Sequence, residues 1–454
     1  MRRAWMVRLL ALCSMVGAPA AAQQPAAPTG TCNLQLSGNT DSTHVTSVRL
    51  PSGRYNNYLG GGVTGRCPEQ QLTLVADSAE YFGELQRWHL IGHVHYTEPR
   101  LTSDSQVATY FIVDDRLVAE GDVHATLPSG TTLVGPRVEY LRPKAGVRTV
   151  ARMTATGRPT ITIVTQDSTG KASEPMTVIA NRVVMVGDSL VFASGRVDVT
   201  RTDLLAKGDS AALDSQTQFA RLMRKPSISS RGSRHFTLYG TVIDLFGENR
   251  AIHRVLSRGA AKSVSEDATL SADTLDFRLD SGLLQRVYAW GRSRSHAVNP
   301  QYDIVSDSMD VRMPGQRMRE IRAVRQAYAR SVPDTARLHT RERDWMRGDT
   351  IFARFDSTGV AASDSARQPQ MRQLVARGHA SSYYHLAAKD TTSALGPAIN
   401  YVKGKVITVA FDNRQVQHVT ILEQAEGLYL EPGIAREDTA KVERRAPSAR
   451  SSSP

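Results

Sequence analysis

The chain has few cysteines, few aromatic residues and no long apolar run after its N-terminus. Three cysteines occur in 454 residues, and Cys13 lies within an N-terminal leader. Past that leader nothing approaches the roughly 18 consecutive apolar residues that a membrane-spanning helix requires. A transmembrane β-barrel gives a weaker signal per strand, but it carries aromatic girdles and an apolar outer band. Aromatic residues make up 6% here, and the alternating segments carry many charges on one face. Helical periodicity is also scarce. Its best stretch, Met318–Ala329, places Ile321, Ala323 and Ala327 without a clean stripe. No Ser, His and Asp stand in a nucleophile-elbow context. The acids are spread evenly along the chain rather than gathered in pairs, so no catalytic residue, metal or cofactor is expected.

The N-terminus has a compartment signal. Arg2, Arg3 and Arg8 accompany the apolar stretch Val7–Val16, and small residues end at Ala20-Ala21-Ala22. This is the three-part pattern of a secretory signal peptide over residues 1–22. Leu12 precedes Cys13 where a lipoprotein peptidase prefers a small residue, which argues against lipidation. Export leaves Cys32 and Cys67, and an oxidising compartment favours their pairing around a Gly-rich loop of about 35 residues. Two free thiols are the alternative. The net charge of +12 falls to +9 without the three leader arginines. That excess suits anionic partners such as lipid phosphates or an anionic membrane surface, rather than nucleic acid.

The strongest signal is an internal repeat. Its first anchor reads apolar, any, small, often Asp, followed by apolar residues two apart. It occurs ten times, with the small residue at Ala76, Ser103, Gly135, Ala180, Gly208, Gly240, Ala272, Ser306, Gly348 and Gly404. The steps between them are 27, 32, 45, 28, 32, 32, 34, 42 and 56 residues. The core period is therefore about 30, stretched where polar residues collect at 331–343, 361–370 and 387–396. A second anchor alternates with the first and contains Gly92, Gly121, Gly157, Gly195, Gly259, Gly291 and Gly378.

Alternation of apolar and polar residues makes strands with one buried face. Within each first anchor the apolar parity slips by one at the small-Asp step. Leu270 and Ala272 keep a common face with Leu275, Phe277 and Leu279 only if a bulge or corner absorbs one residue. Asp at six of these positions and Asn at another suit an Asx-turn onto their own downstream backbone. They read as corner acids, not catalytic acids. Each unit contributes a bent strand pair that must stack on neighbours to bury its apolar face. The fold class expected is all-β: an elongated repeat β-jelly roll or β-solenoid of about ten units.

The stretch Leu74-Val75-Ala76-Asp77-Ser78-Ala79-Glu80-Tyr81, then Leu117-Val118-Ala119-Glu120-Gly121-Asp122-Val123, resembles the organic-solvent-tolerance A-like (OstA-like) family of periplasmic lipopolysaccharide-transport proteins. Leu270–Phe277 and Gln285–Gly291 repeat the pattern. The resemblance covers Leu72–His124 and Thr237–Val311, and Ser331–Gly427 loosely. It implies an open, twisted β-jelly roll with a V-shaped, apolar interior in which acyl chains lie while sugars stay outside. It also implies edge strands available to other envelope transport proteins. Two departures stand out: the chain is far longer than the minimal soluble member, and no barrel follows the repeats.

From these readings the chain divides into a signal peptide (1–22), a disulfide-pinned segment with a partial first unit (23–71), repeat blocks at 72–215, 216–330 and 331–435, and a disordered tail (436–454). The expected groove residues are Leu74, Tyr81, Tyr110, Tyr140, Leu245, Leu275, Phe277, Val311, Phe355 and Phe411. A cluster of Trp88, His89, His93, His95 and Tyr96 reads as surface histidines beside the groove. The expected role is non-enzymatic binding of lipopolysaccharide or a related glycolipid in the periplasm, at or near the outer membrane. The alternative is a scaffold there that binds proteins through its edge strands. An open apolar cleft favours the first and a sealed core the second.

Overall fold

A strand with a parity slip cannot lie in one flat sheet, and this chain contains such a strand every fifteen residues or so. A computed structural model describes residues 34–38, 43–164, 174–231, 235–248, 251–266, 268–331, 335, 340–356, 370–386, 397–412 and 415–431. The signal peptide, Cys32 and the tail lie outside the described residues. The elements are 28 strands and two three-residue 3-10 turns, Pro68–Gln70 and Pro314–Gln316. All pairings are antiparallel and run almost entirely between neighbours in sequence, which makes one continuous meander. Six rungs are split in two at the corner, so the 28 strands form 22 rungs. At ~4.8 Å per rung the stack is roughly 100 Å long. Of the two expected forms the fold is the elongated jelly roll, a folded-over pair of sheets, rather than a coiled solenoid.

Each long strand belongs to two sheets. In Leu72–Phe82 the first half pairs with the second half of Arg87–Glu98, and the second half with the first. Halves on like sides of the corner pair only with each other throughout, so one set builds sheet I (residues 78–82, 87–91 and 137–141, for example) and the other sheet II (residues 72–75, 94–98 and 132–135). Inward residues follow this division. In Leu72–Phe82 they are Leu72, Leu74 and Ala76, then Ala79, with the expected slip between 76 and 79.

The corner has a consistent construction. Val75 stands opposite His95 and Ser78 opposite Ile91, so three steps on one strand face four on the other. The extra residue sits on the Gly-anchor strand. Gly92 and His93 there adopt φ of 77° and 41°, and Gly378 and His379 adopt 73° and 44°. Two successive left-handed residues bend the strand, and the first is Gly because a side chain has no room. A Cβ on Gly92 would lie 2.2 Å from Asp77 Oδ2, and one on Gly378 would lie 2.2 Å from Asp349 Oδ2.

The expectation for the acids is corrected in two respects. They do not close Asx-turns on their own strand; they reach across to the neighbouring bulge. Asp273 accepts the backbone N–H groups of Arg292 and Ser293 through one oxygen. Those donors, the Ser293 amide above all, hold its carboxyl below the usual range. Asp77 and Asp349 instead meet His93 and His379. Secondly, the corner of Leu101–Phe111 lies at Ser105-Gln106, not at Ser103-Asp104. Val107 faces Glu120 there, and a Cβ on Gly121 would meet the Gln106 side chain. Among the described residues three corners lack glycine: Arg224-Lys225, Arg325-Gln326 and Glu423-Gln424 take the left-handed pair with ordinary residues. The weak helical stretch is the strand Glu320–Ser331.

Replacing Gly92 or Gly378 by Ala should destabilise the chain by about 1–3 kcal/mol each, through left-handed strain and the displaced carboxylate. Urea unfolding measures this. Ala at Gly130, a turn glycine with φ of 84° but nothing within 4 Å of its Cβ, should cost less.

Candidate ligand-binding cleft

The corners form a covalent spine along one side of the molecule. Hairpin turns line the other side, from sheet I at 83–86 and 112–115 and from sheet II at 99–100 and 127–131. Among the described residues no backbone pairing joins the two sheets across this mouth. Side chains close it.

Three aromatic pairs span from sheet II to sheet I. Tyr96 meets Tyr140 edge-on at 6.4 Å between centroids, Phe236 stacks on Phe277 at 5.7 Å, and Tyr302 tilts onto Phe355 at 5.6 Å. In every pair the sheet I partner lies two or three rungs further along the chain. An offset in one direction is the relative twist of two packed sheets. The Tyr302 hydroxyl also donates to Met318 Sδ at 3.5 Å.

A buried polar clasp crosses the same mouth near the N-terminal end. Glu98 ends Arg87–Glu98 in sheet II, and Arg142 follows Thr132–Leu141 in sheet I. Arg142 Nε donates to Glu98 Oε2 at 2.6 Å, and the Tyr140 hydroxyl donates to Glu98 Oε1. Arg142 Nη1 donates to Gln70 Oε1 in the 3-10 turn and lies 3.9 Å from Asp115. Tyr110 donates to Asp115 at 3.3 Å. The side chains of Arg142 and Glu98 are only 6% and 3% exposed. Burial first, then the charge of Glu98 and the hydrogen bond to it, push the Tyr140 phenol well above its usual range. It therefore remains a donor at any physiological pH. The neighbouring Tyr96 hydroxyl is buried with no hydrogen-bond partner.

All ten expected groove residues face the interior. Leu74, Tyr110, Leu275, Leu245, Phe277, Val311, Phe355 and Tyr140 are buried, and Tyr81 and Phe411 pack partly buried against the same core. Tyr81 lies 4.6 Å from Trp88 between centroids. The interior is closely packed. A pocket at the mouth, lined by Leu127, Tyr140, Met153 and Met185 among others, has room for ≈ 10 Å³, no more than one water. Tyr140, Phe277 and Phe355 are mouth residues rather than deep ones.

The clasp was missed from the sequence, although a signal for it exists. Glu98 continues the inward alternation Val94, Tyr96, and Arg142 continues Val138, Tyr140. An acid and a base each in phase with an apolar run mark a buried pair. The histidines behave as surface residues. His93 Nδ1 lies 2.8 Å from Asp77, His95 Nδ1 2.6 Å from Asp104, and His89 Nδ1 3.1 Å from Thr109. No group of three metal-ligating side chains occurs among the described residues. Cys67 is buried with Sγ 3.6 Å from Glu69 Oε2.

No family model matches the chain. No curated protein matches it in sequence. Among solved structures it is similar to LptH, described as the LptA-homologous periplasmic component of the conserved lipopolysaccharide transport device from Pseudomonas aeruginosa. The two are 17% identical, the match covers 28% of this chain and 94% of LptH, and the TM-score is 0.24. A likeness at that level carries no functional argument.

Removing one member of the clasp should be costly and removing both much less so. Glu98→Leu or Arg142→Met alone should lower stability by about 3–5 kcal/mol, by stranding a buried charge. The double variant should recover most of that loss. A double-mutant cycle from urea unfolding checks it.

Proposed function

We propose that this chain is an exported, non-enzymatic protein that holds the acyl chains of lipopolysaccharide or a related glycolipid between its two sheets. It does so in the periplasm, at or near the outer membrane. One observation carries the reading: the apolar interior is bounded by backbone on the spine side and by side chains alone at the mouth. Among the described residues, parting the sheets there breaks three aromatic contacts, the Tyr302–Met318 hydrogen bond and one clasp but no ladder hydrogen bond. A closed sandwich with paired edges has no such seam. Acyl chains entering at the mouth would replace apolar contacts by apolar contacts, which keeps the cost of opening low. Polar sugars would remain outside.

The packed interior favours a second reading. A sealed core is what a scaffold would have, and the ends of the stack offer edges. His44–Arg49 pairs on one side only among the described residues and exposes Val45 and Val48. Glu426–Leu430 exposes Leu428, Tyr429 and Leu430 at the other end. Such edges suit strand addition by other envelope transport proteins. In this reading the interior never opens.

A photo-crosslinking residue at Phe277 or Leu245 separates the two. The carrier reading expects lipid adducts in living cells from Phe277 at the mouth and from Leu245 within. Crosslinks to protein alone, or none, from both positions would leave the scaffold reading standing. We further propose that Cys32 and Cys67 are disulfide-bonded. Intact mass of the exported chain should be two hydrogens below the reduced value, and alkylation without reductant should label neither cysteine.

A further inference from the structure

The outer face of sheet I carries an arrangement that its stability does not call for. Arg254, Arg278, Arg286 and Arg312 stand directly opposite one another on four consecutive strands, before Glu320 and then Arg354 continue the row. Like charges in register on a sheet are destabilising. The flanking row supplies Asp244, Asp276 and Asp310, and these are consumed locally. Arg254 holds Asp276 through two bonds of 2.9 and 3.0 Å, Arg278 adds a third at 2.9 Å, and Arg286 holds Asp310 in the same forked way. Glu320 is shared between Arg354 at 3.2 Å and Arg312 at 3.9 Å.

Two further arginines on this face rest on a ring. Arg322 and Arg377 lie 5.5 and 5.2 Å from the Phe352 centroid. With Arg258 in the row nearest the corner, eight arginines stand against four carboxylates between Val242–Glu248 and Gln370–Leu386. Glu248, Asp280 and Asp356 lie at the mouth edge, outside these rows. Trp290 projects from the same face and is 40% exposed. An exposed Trp beside cationic residues is the composition found at the headgroup level of a membrane. The seven steps between these strands extend roughly 30 Å, a flat array rather than a cup for one ion.

We infer that the outer face of sheet I, from Val242–Glu248 to Gln370–Leu386, docks on an anionic phospholipid surface. The guanidinium rows meet lipid phosphates, and Trp290 enters the headgroup layer. Docking on this face leaves the mouth, which lies along the sheet's edge, beside the membrane rather than under it. The inference does not depend on the interior binding anything: crosslinking from Phe277 can fail while docking holds, and the reverse.

The test is co-sedimentation of the full exported chain with phosphatidylglycerol–phosphatidylcholine vesicles and with phosphatidylcholine alone. Binding to the first and not the second is expected. The variant Arg312→Gln/Arg322→Gln/Arg377→Gln removes the arginines least committed to carboxylates. Partitioning should fall roughly fivefold per arginine, on the order of a hundredfold in all. The control Arg49→Gln/Arg66→Gln/Arg182→Gln removes the same charge elsewhere and should change it only a few-fold. Equal losses in both variants would reduce the effect to net charge and overturn the inference. Release of the chain by inorganic phosphate, but not by chloride at matched ionic strength, would assign the face to a free anion instead. A readout independent of the variants' folding is a polarity-sensitive dye on Ser308→Cys, which should shift on anionic vesicles. The same dye on Thr126→Cys, on sheet II, should not, and the reverse pattern would contradict the assignment.

Discussion

A strand that serves two sheets has to turn between them while its neighbours on both sides turn with it. In this molecule the turn is made by alternating two kinds of corner. One strand crosses with a small residue and a polar one, as at Ala76-Asp77. The next crosses with two left-handed residues, as at Gly92-His93. The polar side chain of the first fills the space that a Cβ on the second would need. This contact recurs at six corners, those of Gly92, Gly121, Gly195, Gly259, Gly291 and Gly378, and sets where those strands bend. The bend divides each strand's apolar residues between two inner faces and aligns the corners into a spine.

The rest of the architecture is a consequence. Because the spine is covalent, the sheets cannot slide apart there. Because like halves pair only with like halves, nothing in the backbone ties the opposite side. That side is closed by what the sequence happens to place at the ends of its strands. Toward the C-terminal half these are Phe236, Phe277, Tyr302 and Phe355. Near the N-terminal end they are Tyr96, Tyr140, Glu98 and Arg142. The two closures differ physically. The aromatic one is non-directional and tolerates exchange with other apolar groups. The ionic one is directional and fixes the register of the sheets, at a desolvation cost that apolar replacements would avoid. The N-terminal end is therefore the pinned end of the mouth and the C-terminal half the yielding one.

Much of this was legible in the chain. The parity slip at Ala272-Asp273 marks a corner in the sequence alone, because a strand's two-residue period leaves one residue to be absorbed there. All ten expected interior positions do face inward. The partner of the corner acid was not legible. An acid beside a turn suggests a bond to its own backbone, and only the pairing of neighbouring strands shows that the nearer donors belong to the next bulge. Asp104 misled for a related reason: it sits two residues before the corner, and the true corner residue, Gln106, lacks the expected chemistry. Arg224-Lys225 and Arg325-Gln326 were invisible because the corner geometry there is imposed by neighbours on both sides. The clasp was the largest omission. Glu98 and Arg142 are 44 residues apart, and although each breaks an apolar alternation, only the offset of the two sheets brings them together.

The central claim is that the sheets hinge on their spine and part at the mouth. Distances between spin labels address it directly. Arg231 lies on the sheet II lip and Asp280 on the sheet I lip, three rungs further along and so within the offset of two or three rungs seen in the aromatic pairs. Glu248 and Asp280 both lie on the sheet I lip and serve as the reference pair. Pulsed electron paramagnetic resonance on each labelled pair, with and without purified lipopolysaccharide, measures the opening. The account predicts that the Arg231–Asp280 distance lengthens with lipopolysaccharide while the Glu248–Asp280 distance stays unchanged. An unchanged distance across the mouth would contradict it and leave a permanently closed stack.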